Sequence, residues 1–131
     1  MKRLALVLLA MLGAAAAAQA GDGLSGTYRP AGDGSAAFPA DAELVVRAEG
    51  HGWLAMFRGE GLALLPLDRL EQAGLFPDVD PQARLQCAYS RAFLLCRVSP
   101  GTEFPQQNFR STTGYFTALS DERIFEMRRI D

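Results

Sequence analysis

Cys87 and Cys96 are the only thiols in this 131-residue chain, and a thiol pair supports three chemistries: a disulfide, a metal clip or a redox couple. Metal is disfavoured because His51 is the only histidine and the cysteine spacing is not the short C-x-x-C clip of zinc sites. A redox dithiol needs a similarly close pair beside a helix N-terminus. The expectation is a structural disulfide. His51 sits in Glu49-Gly50-His51-Gly52, a glycine-rich turn that supplies no third group to orient an imidazole as a general base. Asp78 and Asp80, bracketed by Pro77 and Pro81, open like an oxygen-ligand loop. Calcium takes six or more oxygens, however, and no further carboxylate follows at a suitable interval. These two, with Asp22 and Asp33 between glycines, read as turn aspartates whose side chains cap the backbone.

Acid and base catalysis would need two carboxylates drawn from Glu43, Glu60, Glu103 and Glu126. Alternation turns Glu43 and Glu126 toward water, and nothing in the sequence brings two of the four together. The chain has no glycine-rich phosphate loop, no G-x-S-x-G elbow and no H-E-x-x-H helix. The expectation is therefore a protein that is not an enzyme and carries no metal and no cofactor. What remains is a surface for binding. Phe104, Gln107, Asn108 and Phe109 lie in the longest stretch without regular alternation, residues 99–112, and long loops on rigid scaffolds are where recognition concentrates. Their two aromatic rings have a competing use, which is to fold back and plug one end of a sheet.

The elements that must position these residues are mostly strands. Residues 43–58 alternate on both sides of the His51 turn, and a turn centred on Gly50-His51 sets Ala48 opposite Trp53, Val46 opposite Ala55 and Leu44 opposite Phe57. A slip of one residue would turn that whole apolar set outward, so the register is well specified. Gly59-Glu60-Gly61 reads as the next turn and residues 62–65 as a third strand. Residues 66–73 carry proline early, Asp68 in the first turn and Gly74 after the end, which predicts one short helix docked through Leu67, Leu70 and Leu75. Residues 84–90 and 93–98 form a hairpin whose turn at Arg91-Ala92 sets Cys87 opposite Cys96. Leu85, Tyr89, Leu94 and Val98 share their face. Residues 24–29 form a first strand, and residues 113–119 and 123–130 a last pair. There Phe116 and Ala118 meet Phe125 and Met127 on a buried face, while Thr117, Glu126 and Arg128 face water. The sum is a mainly β domain: a single small antiparallel barrel or sandwich of about seven strands with one short helix, stapled by one disulfide.

Residues 1–20 have the makings of an export signal. Lys2 and Arg3 precede an apolar run, and Ala18-Gln19-Ala20 supplies the small-x-small pattern for cleavage near Gly21. The run is shorter than the roughly 20 apolar residues of a membrane span. One domain, residues 21–131, is expected in the periplasm or secreted, soluble and without stable membrane insertion, where a disulfide persists. It carries 11 basic residues, all arginine, against 15 acidic ones, a formal charge of −4. With no basic stripe, nucleic acid is not the expected partner.

Gly26-Thr27-Tyr28 resembles the Gly-x-Trp start of lipocalin-type barrels, with tyrosine in place of tryptophan, and the rest of that pattern is not recognisable. The resemblance assigns no site residues. Three functions follow from the residues themselves. The leading one is a non-catalytic exported binding protein that recognises another protein, as hydrolase inhibitors and toxin-immunity proteins do. The second is a carrier of a small apolar ligand in a barrel lined by Leu44, Val46, Trp53, Phe57, Leu85 and Tyr89. The third is an enzyme using carboxylates that the sequence does not pair.

Overall fold

A computed structural model describes residues 23–131 apart from 37 and 122, so the expected export signal, the expected cleavage near Gly21 and the turn aspartate Asp22 lie outside the described residues. Eight strands close into an antiparallel barrel: β1 (Gly26–Pro30), β2 (Leu44–Glu49), β3 (Gly52–Phe57), β4 (Glu60–Pro66), β5 (Gln86–Tyr89), β6 (Phe93–Arg97), β9 (Tyr115–Leu119) and β10 (Ile124–Arg129). Neighbours in the chain are neighbours in the wall, and β10 returns to β1 to close it. The hairpin β7 (Thr102–Phe104) and β8 (Phe109–Ser111) is inserted between β6 and β9 and stands outside the barrel. Among the described residues one α-helix, α1 (Arg69–Leu75), is present, and it links β4 to β5.

The β2–β3 hairpin has the register that its alternation dictates, with Ala48 opposite Trp53, Val46 opposite Ala55 and Leu44 opposite Phe57. The next turn is displaced by one residue from its expected place. It centres on Arg58 and Gly59, both at positive φ (52° and 80°), and Glu60 and Gly61 already belong to β4. Two left-handed residues give the backbone twist that a two-residue hairpin needs, so the Phe57–Glu60 pair closes the turn.

The barrel interior holds Tyr28, Leu44, Val46, Trp53, Leu64, Leu95 and Met127. A second core lies on the outer face of β5, β6 and β9, where Phe76, Cys87, Cys96, Val98, Phe104 and Phe116 are buried together. These three strands are thus covered on both faces, which reassigns several residues. Leu85 and Leu94 pack against the outer core with the cysteines, as their alternation implies, but Tyr89 is 40% exposed. Phe93, Ala88 and Leu95, one residue out of phase with the cysteines, fill the barrel. In the last hairpin the observed pairs are Phe116 with Glu126, Thr117 with Phe125 and Met127 with Tyr115, one residue away from the expected register. Phe116 serves the outer core and Met127 the inner one, so no single apolar face exists to set the phase.

The shift sends Thr117 inward. It is fully buried, and its hydroxyl has no hydrogen-bond partner among the described residues. An unpaired buried hydroxyl costs about 1 to 3 kcal/mol. Thr117→Val is therefore expected to stabilise the fold by about 1 kcal/mol or more, read as a higher denaturant midpoint with an unchanged slope.

The helix begins later than its composition suggests. Asp68 is the N-cap, its carboxylate accepting from the Glu71 N–H while the Glu71 carboxylate accepts from the Asp68 N–H, and Gly74 lies inside the helix rather than beyond it. Leu67 reaches the outer core, but Leu70 is 84% exposed and Leu75 is also exposed, so the helix does not dock through its leucines. Gln72 docks it instead. Its side-chain amide donates to Leu85 O (3.0 Å) and accepts from Cys87 N (2.8 Å), standing in for a neighbouring strand where β4 has already left β5.

Candidate functional site

Cys87 and Cys96 are directly opposed on β5 and β6 and joined by a disulfide, with Cα atoms 4.1 Å apart. The backbone of Cys87 bonds away from β6, its N–H to Gln72 and its carbonyl to Leu67 N (3.0 Å). The pair is accordingly of the non-hydrogen-bonded kind, where side chains lie closest. Both cysteines are buried, which suits a structural bridge.

The long connection after β6 is not a loop throughout. Phe104 closes β7, Phe109 opens β8, and residues 105–107 form one 3-10 turn between them. Phe104 is 1% exposed and Phe109 half-buried, both packed edge-on against Phe116. Their rings hold the tip in place. Asn108 is exposed at φ 50°, a left-handed position that asparagine tolerates better than most residues, and its N–H donates to Pro105 O (3.1 Å). Gln107 is half-buried and its side-chain amide donates to Leu75 O (3.3 Å), tying the tip to the end of α1.

That contact closes one side of a surface cavity of about 730 Å³. Its lining comes from four places in the chain: residues 75–76 at the end of α1, residues 89–94 around the β5–β6 turn, residues 106–107 at the tip, and residues 118–120 with 124 at the β9–β10 turn. Leu94, Ala118 and Ile124 give an apolar floor, while Arg91, Gln106 and Ser120 give a polar rim. Of the residues expected to bind, only Gln107 lines this groove. Leu75, Tyr89, Arg91 and Ile124 join it from segments whose own patterns carry no sign of shared use. The β9–β10 turn is fixed by Asp121, whose carboxyl lies below its ordinary range because the Arg123 backbone N–H and guanidinium both donate to it.

A second cavity of about 560 Å³ lies where Asp78 and Asp80 meet Glu103. Asp80 caps the 3-10 turn Pro81–Ala83 by accepting from Gln82 N (2.9 Å), the local role expected of a turn aspartate. No group of three or more His, Cys, Asp or Glu side chains among the described residues is arranged to hold a metal ion. His51 is exposed at the tip of the β2–β3 turn. Of the other carboxylates, Glu43 pairs with Arg29 (2.6 Å), Glu103 lies across the β7–β8 hairpin from Arg110 (3.9 Å), and Glu60 is exposed.

Glu126 departs most from expectation. Rather than facing water, it is half-buried and accepts from Ser111 Oγ (2.8 Å), the backbone N–H of Thr112, Thr112 Oγ1 (3.0 Å) and Thr113 N (3.1 Å). It anchors the return of the inserted hairpin to the barrel. Glu126→Gln keeps the shape but removes the charge from these bonds, and should cost about 1 to 2 kcal/mol in a denaturation experiment.

The barrel interior expected of a carrier is only partly reproduced. Leu44, Val46, Trp53 and Phe57 point into it, whereas Leu85 belongs to the outer core and Tyr89 to the groove. Both cavities described above lie outside the barrel. No helix among the described residues is long and apolar enough to cross a membrane. No family model, curated protein or solved structure matches the chain.

Proposed function

We propose that this is an exported, non-catalytic binding protein that recognises another protein outside the cytoplasm through the groove between α1, the β5–β6 turn and the 105–108 tip. One observation carries the reading. The tip, the helix end and two barrel turns converge on an apolar floor with a polar rim, the composition of a protein-binding patch. Phe104 and Phe109 act from beneath by fixing the tip, while Gln107 and Asn108 contribute at its surface. The disulfide and the Gln72 bridge stiffen the opposite bank, which limits the ordering cost of association. Inhibitors of hydrolases and toxin-immunity proteins work from such rigid scaffolds, an analogy of architecture alone. An apolar small molecule would find its room in this same groove, since buried side chains occupy the barrel.

Deleting 103–110 would not test this, because it removes a buried phenylalanine from the outer core. Photo-crosslinking groups at Gln106 and Tyr89 should instead trap one and the same protein in the envelope of the source cell. A group at Val45, exposed on β2 across the barrel, should not trap it. Different adducts from the two groove positions, or an equal yield from Val45, would contradict the assignment.

A further inference from the structure

The floor of the groove is a row of side chains that crosses four strands of the barrel wall. Tyr89 lies opposite Leu94, Leu94 opposite Ala118 and Ala118 opposite Ile124, so β5, β6, β9 and β10 each supply one residue. The next row on the same face, Cys87 with Cys96 and Phe116, is covered by the outer core. The first row is left open. Leu94, Ala118 and Ile124 are half-buried and Tyr89 is exposed, and all four line the one cavity.

Among the described residues of that lining, Arg91 alone carries a formal charge. It is exposed and has neither an ion pair nor a side-chain hydrogen bond among the described residues. Asp121, beside Ser120 in the β9–β10 turn, is already committed to Arg123. In a domain with 15 acidic residues against 11 basic ones in residues 21–131, the groove is thus positive. A guanidinium beside an apolar floor selects an anion with an apolar neighbour. A polyanion would need several cations, and the lining has one. A chain-terminal carboxylate is held by successive backbone N–H groups. Here the N–H groups of Ala92 and Phe93 already donate to Ser90 Oγ (3.1 Å each), so the site suits a side-chain carboxylate, which needs only the guanidinium. Gln106 and Ser120 stand exposed on the rim with an amide and a hydroxyl that can bond a peptide backbone, and an alkyl chain offers them nothing.

We infer, resting on the groove reading above, that the protein partner enters with a short segment carrying one aspartate or glutamate beside a large apolar residue. The carboxylate pairs with Arg91, and the apolar side chain lies on Leu94, Ala118 and Ile124. Arg91 is thereby the residue that decides which segment is accepted, because a segment with a basic residue in that place meets a like charge.

Random peptides displayed on phage and panned against the purified chain test this without the partner in hand. Recovered sequences should carry aspartate or glutamate next to leucine, isoleucine, phenylalanine or methionine. A consensus peptide, acetylated and amidated to remove its terminal charges, is then titrated by fluorescence anisotropy. Arg91→Glu should weaken its binding by about tenfold or more, and exchanging the acidic residue of the peptide for lysine should restore binding to that variant. Arg91→Lys, which keeps the charge, should lose less than Arg91→Glu. Unfolding of both variants should match the parent, since Arg91 has no described partner to lose. Ala118→Arg, which fills the groove, should abolish binding of every such peptide. Peptides that still bind the Ala118→Arg variant refute the groove reading and this inference with it. Peptides lost with Ala118→Arg that lack an acidic residue, or that are indifferent to Arg91→Glu, leave the groove standing and overturn the inference. Failure to recover any sequence that depends on the groove overturns it as well.

Discussion

Phe104→Ala is expected to lower the free energy of unfolding by about 3 to 5 kcal/mol, the usual cost of emptying a buried phenylalanine site. The ring is 1% exposed and lies 5.1 Å from Phe76, 5.0 Å from Phe116 and 5.9 Å from Phe109, centroid to centroid. The Phe76 and Phe116 contacts are edge-on, which adds to the value of area burial alone. The cavity left behind cannot collapse easily, because Phe104 shares its buried cluster with Phe116 of β9 and with the disulfide that ties β5 to β6. For a domain whose whole stability is about 5 to 15 kcal/mol, such a loss removes a large share. Urea titration would read it as a lowered midpoint. A change below about 1 kcal/mol would mean that Phe104 is mobile at the surface, and would return it to direct recognition.

The second large effect concerns the bridge. Cys87→Ala with Cys96→Ala should cost about 2 to 3 kcal/mol from the short closed loop alone. Burial of both sulfurs beside Phe76 and Phe116 adds a packing loss of about 1 to 2 kcal/mol. The β5–β6 register should survive, since Ala88 and Leu95 remain locked in the barrel and Gln72 still holds the edge of β5. Intact-mass analysis with and without reductant, paired with denaturation of the double variant, checks both halves. A free thiol in freshly isolated protein would refute the bridge. Loss of all folded structure would mean that the inner core is weaker than its burial implies.

How far each element was legible depended on how many of its faces are buried. β2 and β3 have one wet face, so Leu44, Val46, Trp53 and Ala55 declared both the register and the inside of the barrel. Cys87 and Cys96 could be set opposite each other because the turn beside them is short. β9 is different, since Phe116 feeds the outer core while Thr117 and Tyr115 face the barrel. An unbroken run of buried residues carries no phase, which explains the displaced pairing with β10 and the misplacement of Glu126. The three-residue strands β7 and β8 are too short for alternation to register, so Phe104 and Phe109 looked like loop aromatics. The groove was hidden for another reason. Leu75, Tyr89, Gln107 and Ile124 come from distant segments, and only closure of the barrel brings them to one rim.

The central claim is that this rim contacts a protein partner, and capture by immobilised protein from the envelope of the source cell tests it most directly. Ala118→Arg puts a long charged side chain into the groove from a half-buried position, and Val45→Arg puts one on the exposed far wall, outside the groove. Recovery of the partner that crosslinks from both Gln106 and Tyr89 should fall by about tenfold or more with Ala118→Arg and stay unchanged with Val45→Arg, while both variants unfold within about 1 kcal/mol of the parent. Equal recovery of that partner by the parent and the Ala118→Arg variant would contradict the account.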